Sequence, residues 1–330
     1  MDTKHNQHVL PKLYLKGFVI KKDEPFIWVY QKGQHHNPGG DRYNRRDTNG
    51  KNPYIDTIKN AGAELDFYAD PNEDGTKDFD TTENKLMSLE QQHDQIFHKL
   101  RAHHRITKEE KERFSSYIVL MHRRVRAGRE LSNKLMATKG IYEPTKELFQ
   151  KLGWPDTPET RAVIKEYVEL KSQDGNYQIR GHNELTVRSP DSLLIDALKQ
   201  MVWTFYVAPN SQSFFTGDNP VFIPKDNGLA KNNSELSFPI ATDVALNASW
   251  DKRRKEGFEE ARSQIVKEIN RRTASQASKI YFFQNQDWVV KMLNKGDYGW
   301  HPVFAPKSVY TVAELVKNSP DSEPHLKINV

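Results

Sequence analysis

Leu236-Ser237-Phe238-Pro239-Ile240 and, a few residues on, Val244-Ala245-Leu246-Asn247-Ala248-Ser249-Trp250 decide the fold class. Large apolar side chains recur at every second position, the period of a strand with one buried face. Just upstream, residues 213–216 and 221–223 are short apolar runs around Gly217-Asp218-Asn219-Pro220, which reads as strand, turn, strand. Downstream, a helix is expected at about 257–277, then strands near 279–284 and 287–292.

Before residue 210 the period changes to that of a helix. Asp80-Thr81-Thr82-Glu83 has capping-box spacing, and a helix is expected from there to about residue 102. Leu86, Leu89, His93, Ile96, Phe97 and Leu100 form its apolar stripe, with Glu83 and Glu90 along one edge. Thr107-Lys108-Glu109-Glu110 opens a second helix that carries Phe114, Tyr117, Ile118, Met121 and Val125 on one face. His122 and Arg124 flank that face, whereas Arg123 falls opposite it, towards solvent. Further helices are expected over 143–153, over 158–173 behind Thr157-Pro158, and from Ser189-Pro190 to near Pro209. The last of these would turn Leu194, Leu198, Met201, Val202 and Phe205 to the core.

Towards the N-terminus, Phe26-Ile27-Trp28-Val29-Tyr30 reads as a strand, and 31–62 is loop chemistry rich in Gly, Asn, Asp and His. Segregated elements argue for an α+β fold: a helical middle packed on a mixed or antiparallel sheet built from the N- and C-terminal parts. One domain over 1–330 with a mobile tail at 318–330 is expected; a split near residue 210 is the alternative.

Charge adds a local signal. Lys and Arg total 49 against 44 Asp and Glu in 330 residues, a weak net field of +5. Between Lys99 and Arg129, however, cations cluster: Arg101, Arg105, Lys108, Lys111, Arg113, Arg123, Arg124 and Arg126 lie inside that stretch. The preceding stretch from Glu64 to Asp94 is acidic, so the two can simply attract each other as solvated faces. The chain has no cysteine, which excludes a disulfide framework, a thiol nucleophile and thiolate-bound zinc or iron–sulfur clusters. With no long apolar run and no apolar segment after the polar start, a soluble cytoplasmic protein without a membrane partner is expected. Phosphate-loop, dinucleotide-fingerprint, nucleophile-elbow and zinc-protease motifs are all missing.

His8-Val9-Leu10-Pro11-Lys12-Leu13-Tyr14-Leu15-Lys16-Gly17-Phe18 resembles the opening signature His-x-x-Pro-x-x-Tyr-Leu-x-x-Phe of the bacterial domain-of-unknown-function family numbered 4238. The resemblance continues through Ile27-Trp28-Val29-Tyr30, Trp203, Phe214 to Val221, Phe238-Pro239-Ile240, Val244-Ala245-Leu246, Asn270 and Ala277, spanning about 6–285. The chain departs from it at Gln7, where many members have a second His, and at Gly217, where many have Ser. The resemblance implies a fold and a set of motif residues, and it implies no activity.

Those residues support two functional expectations. In the first, the chain is a metal-assisted phosphodiester hydrolase, a nuclease-like effector of the kind suited to defence. His8 would activate water, Arg124 would neutralise charge developing on phosphate, and Asp218 would act at the turn tip. Glu83, Glu90 and Asp218 would hold Mg²⁺ or Mn²⁺, with Tyr14, Asn219 and His122 contacting an RNA or DNA substrate. In the second, the basic helix 107–131 binds nucleic acid or a protein without catalysis. Each residue also has a structural reading: His8 tying down the N-terminus, Asp218 and Asn219 shaping a turn, Arg124 paired with Glu83 or Glu90. Glu90-x-x-His93 is half of a di-iron signature with no second copy in the chain, so helix packing is the better reading of His93. Sequence leaves the oligomeric state open.

Overall fold

The computed structural model describes residues 5–32, 53–72, 74–137, 149–150, 153–172, 175–187, 192–224, 228–229, 231–283 and 293. In chain order the first elements are β1 (Asn6–His8), α1 (Lys12–Leu15), β2 (Phe26–Gln31), β3 (Tyr54–Thr57), α2 (Ile58–Ala61) and β4 (Ala63–Leu65). Two short strands, β5 (Asp70–Pro71) and β6 (Lys77–Asp78), lead into the helical middle. That middle comprises α3 (Thr81–Gln91), α4 (Asp94–Arg101), α5 (Lys108–Arg124), α6 (Arg126–Ala137), α7 (Pro158–Ser172), α8 (Gly175–Val187) and α9 (Ser192–Gln200). The C-terminal part follows: β7 (Val202–Val207), β8 (Thr216–Gly217), β9 (Glu235–Pro239), β10 (Val244–Ser249), β11 (Gly257–Glu260), α10 (Ser263–Gln276) and β12 (Lys279–Phe282).

One sheet has the order β11-β7-β10-β9, antiparallel except for the parallel β11–β7 pair; the other has the order β3-β2-β12-β8 and is antiparallel throughout. The second sheet joins the two ends of the chain, with Ile280 opposite Tyr30 and Tyr281 opposite Val29. This is the expected α+β arrangement, in which the N- and C-terminal strands and the helical middle share one core. Its largest apolar cluster takes Tyr14 and Phe18 from the start, Phe97, Phe114, Tyr117 and Met121 from the helices, and Trp203, Phe238 and Leu246 from the later strands. Tyr14 stacks on Phe238 at 5.2 Å, and its hydroxyl meets Thr216 Oγ1 at 2.6 Å and donates to Pro239 O at 2.8 Å. A buried hydroxyl needs such partners, and here they staple the first motif of the chain to the turn-bearing second one.

Several elements differ from the sequence expectation, each for a local reason. The first long helix breaks at Gln92 and His93, where the backbone departs from a continuous helix and α4 starts afresh. Asp80 does not cap α3; Asp78 does, accepting from the amides of Asp80 and Thr81 at 2.9 and 3.0 Å. The helix expected to run on to Pro209 stops at Gln200, because Val202-Trp203-Thr204-Phe205-Tyr206-Val207 is rich in β-branched and aromatic types and pairs on both edges. The start of the helix expected at 257 is strand β11, with the helix proper beginning at Ser263. Helix α8 was not anticipated, whereas the short elements between 54 and 61 are the kind of short structured pieces the loop-rich stretch 31–62 allowed. Most of the helix expected over 143–153, the strand near 287–292 and the tail at 318–330 lie outside the described residues.

Gly217 shows how tightly the second motif is seated. A Cβ there would come within 2.5 Å of Ala277 Cβ and 3.0 Å of the Lys279 carbonyl. Gly217→Ser is therefore expected to cost about 1–3 kcal/mol of stability in urea unfolding through overpacking. Ala277→Gly in the same background should recover part of the loss.

Candidate functional site

The N-terminal strand sits beside the acidic edge of α3 and the end of α5. The His8 amide donates to Glu83 Oε1 at 3.3 Å, and His8 Nδ1 lies 3.4 Å from the same oxygen. Thus Glu83 reaches across to His8 instead of back to its own helix start. The other ring nitrogen, Nε2, is buried without a hydrogen-bond partner. Burial and nearby Lys12 lower the His8 pKa, while Glu83 and Glu90 pull it the other way. The imidazole is therefore inclined to be neutral near pH 7, with one nitrogen facing a carboxylate and the other free.

Arg124 is 1% exposed, with both terminal nitrogens bonded and its Nε buried without a partner. Its Nη1 donates to Glu90 Oε1 at 2.5 Å and its Nη2 to the His8 carbonyl at 2.6 Å. Its own carbonyl accepts from the Tyr68 hydroxyl at 2.9 Å. The ion pair with Glu90 is the structural reading of this residue, and it leaves no guanidinium face turned to solvent. Gln7 is another bracket: Nε2 donates to Phe79 O at 2.7 Å and Oε1 accepts from the Tyr68 amide at 2.5 Å. His93 is held between the carbonyls of Leu89 and Arg113, at 2.8 and 3.0 Å, so it ties α3 to α5.

Asp218 belongs to a neighbouring group. Its Oδ1 accepts from the Ser278 amide at 2.8 Å, and burial, with Glu64 adding to it, raises its pKa against the pull of the Lys279 and Ser278 amides. Arg126 pairs with Glu64 and also feels the charge of Asp218. No hydrogen bond or ion pair joins Asp218 to His8, Glu83 or Glu90. Among the described residues, no three His, Cys, Asp or Glu side chains form a set able to hold a metal ion. Asn219 gives its carbonyl to Gln276 at 2.8 Å, while its Oδ1 is buried without a partner. Tyr14 is enclosed in the core, and burial with Arg123 nearby pushes His122 down to about 4. The structure thus brings His8, Glu83, Glu90 and Arg124 together and keeps Asp218 in an adjacent cluster.

At the other end of α5 lies a cavity of about 470 Å³. Arg105, Thr107, Lys108, Lys111, Lys199 and Glu256 supply its polar wall, and Ile106, Trp203, Phe205 and Phe258 its apolar one. Here the expected capping box is present, with Thr107 Oγ1 accepting from the Glu110 amide and Glu110 Oε2 from the Thr107 amide. It occupies those two groups, so side chains carry the cavity's charge. Lys111 Nζ donates to Met201 O at 2.9 Å and Glu256 Oε1 at 2.5 Å, and lies 5.3 Å from the Trp203 ring centre. Lys199 holds Glu112 at 3.0 Å. Among the described residues Arg105 and Lys108 make no hydrogen bond or ion pair through their side chains, which leaves the cavity cationic. Sequence patterning marked the three cations before and along α5. It did not single out Lys199, which lies on α9 as expected, or Glu256 and Phe258 at the start of β11, because no linear spacing joins those segments to α5.

These features define an α+β protein with a locked N-terminal strand and a cationic, aromatic-walled cavity. The chain belongs to the family described as Protein of unknown function (DUF4238), whose model matches residues 6–287. No curated protein and no solved structure matches the chain. Among the described residues no helix is long and apolar enough to cross a membrane.

Buried imidazoles set the acid response. Burial and Arg129 hold His182 at about 3, against 6.5 for an unperturbed His, and His122 is also depressed. The unfolded chain therefore takes up protons that the folded chain refuses, and stability present above about pH 6.5 is lost as pH falls towards 4. Urea unfolding at pH 7 and pH 5 should show lower stability at pH 5. His182→Gln should flatten that dependence; an unchanged slope would contradict it.

Proposed function

We propose that the protein binds nucleic acid through the cationic end of α5. The observation that supports this reading most is the cavity itself: Arg105 and Lys108 line it without a side-chain partner among the described residues, Lys111 and Lys199 line it paired with Glu256 and Glu112, and apolar and aromatic side chains complete its wall. Phosphates are drawn by such cations, and releasing their counterions makes binding weaken with salt. Pockets of this size suit a small ligand or one unit of a larger one. Fluorescence anisotropy with labelled RNA and DNA strands tests the reading. Replacing Arg105 and Lys108 together by Ala should weaken binding at low salt and reduce the slope of log K against log salt by about 1.4, the value for two contacts to a single strand. Wild-type protein that ignores both nucleic acids would overturn the proposal.

A second reading, phosphodiester hydrolysis, is favoured by one observation: the His8 ring has one nitrogen against the Glu83 carboxylate and the other without a partner. A carboxylate-oriented imidazole is the arrangement of a general base. Among the described residues no His, Asp and Glu set fits Mg²⁺ or Mn²⁺, so this reading rests on the His8–Glu83 pair and takes no step through either ion. Incubation with labelled RNA or DNA should then give cleavage that His8→Ala abolishes. Equal cleavage by both proteins would remove His8 from the reaction.

A further inference from the structure

We infer that the cavity at the start of α5 takes one unpaired nucleotide, its base against the aromatic wall and its phosphate between Arg105 and Lys108. The inference rests on the binding reading above and narrows it to a class of ligand. Cations alone would serve any polyanion, including a duplex, whose bases are stacked and hidden. An apolar wall gains contact only from a base that is free to leave the stack. Trp203 and Phe205, 1% and 3% exposed, back that wall, and partly buried Phe258 is its aromatic ring left most open to a ligand. Phe258 is the partly buried member, stacked on Phe205 at 5.0 Å and touched by the His103 ring at 5.6 Å. Trp203 is fixed by its own Nε1 bond to the Leu198 carbonyl at 2.8 Å. The wall is therefore rigid before any ligand arrives, and little order has to be imposed on binding.

The cationic side is arranged to match. Gly257 has φ +112°, and a Cβ there would lie 3.5 Å from Arg105 Nε. That is an ordinary contact distance, so the guanidinium lies against this backbone at the cavity edge, and it is the positive φ that calls for glycine. Lys111 is held by Glu256, whose side chain is 60% exposed. An entering phosphate competes with that carboxylate for the same ammonium, so Glu256 acts as an internal stand-in for the ligand's charge.

The test compares anisotropy of a short fluorescein-labelled single strand with that of a duplex of the same sequence at one salt concentration. The single strand should bind about ten-fold more tightly, the size of one good base contact. A nucleoside monophosphate should displace it where inorganic phosphate at equal concentration does not. Phe258→Leu keeps apolar packing on Phe205 and should weaken single-strand binding while leaving the duplex unaffected; Glu256→Gln should tighten both. Arg105→Ala, outside the core, serves as the variant least liable to unfold, and should weaken both. Equal affinity for single strand and duplex, with Phe258→Leu without effect, would overturn the inference and leave the binding reading standing. Absence of binding to either nucleic acid would overturn both.

Discussion

A guanidinium buried to 1% exposure is the constraint around which this structure is organised. Moving a charge out of water is costly unless it is paired and hydrogen-bonded. Arg124 meets that requirement with Glu90 on α3 and with the carbonyl of His8 on β1, while Tyr68 bonds to its own carbonyl. Four stretches of chain far apart in sequence are thereby fixed at one point. Removing any partner would strand the charge, so the N-terminal strand, the end of α5 and the acidic edge of α3 have to form together.

That arrangement also decides what the motif residues are free to do. Gln7, Tyr14 and His93 spend their polar groups on other parts of the chain, as Arg124 does both terminal nitrogens. Of the motif residues first considered for chemistry, His8 keeps a ring nitrogen without a partner and Asp218 sits in an adjacent cluster whose neighbours raise its pKa. Helix α5 has 17 residues, about 25 Å of rise. Its C-terminal end is the clamp and its N-terminal end is the cationic cavity. One helix thus separates a structural lock from an open, charged surface, and the functional proposal follows that division.

The sequence revealed what local chemistry controls. Thr107 and Glu110 form the box their spacing implies, and the period-two runs at 235–239 and 244–249 are strands. The change from a helical middle to β-rich ends was enough to give the fold class. Tertiary partners account for the misses. Glu83 has the spacing to serve its own helix, yet His8, 75 residues earlier, takes it. His93 continued the apolar stripe, but two carbonyls capture its ring where the helix breaks. Residues 202–207 satisfy a helical stripe and a strand alike, and pairing with β10 and β11 settles it. The ion pair of Arg124 was legible as one of two choices; the 34-residue separation from Glu90 is bridged only by packing. The cavity combines residues from 105–111, 199–205 and 256–258, which no linear spacing connects.

The most direct measurement is a double-mutant cycle on Arg124→Met and Glu90→Gln, read by urea unfolding at pH 7. The clamp requires each single change to cost about 3–5 kcal/mol, because each leaves a buried group without its partner. The double variant should then lose far less than the two losses added together. Small losses that simply add would mean that Arg124 is not the point on which the two ends of the chain are fastened.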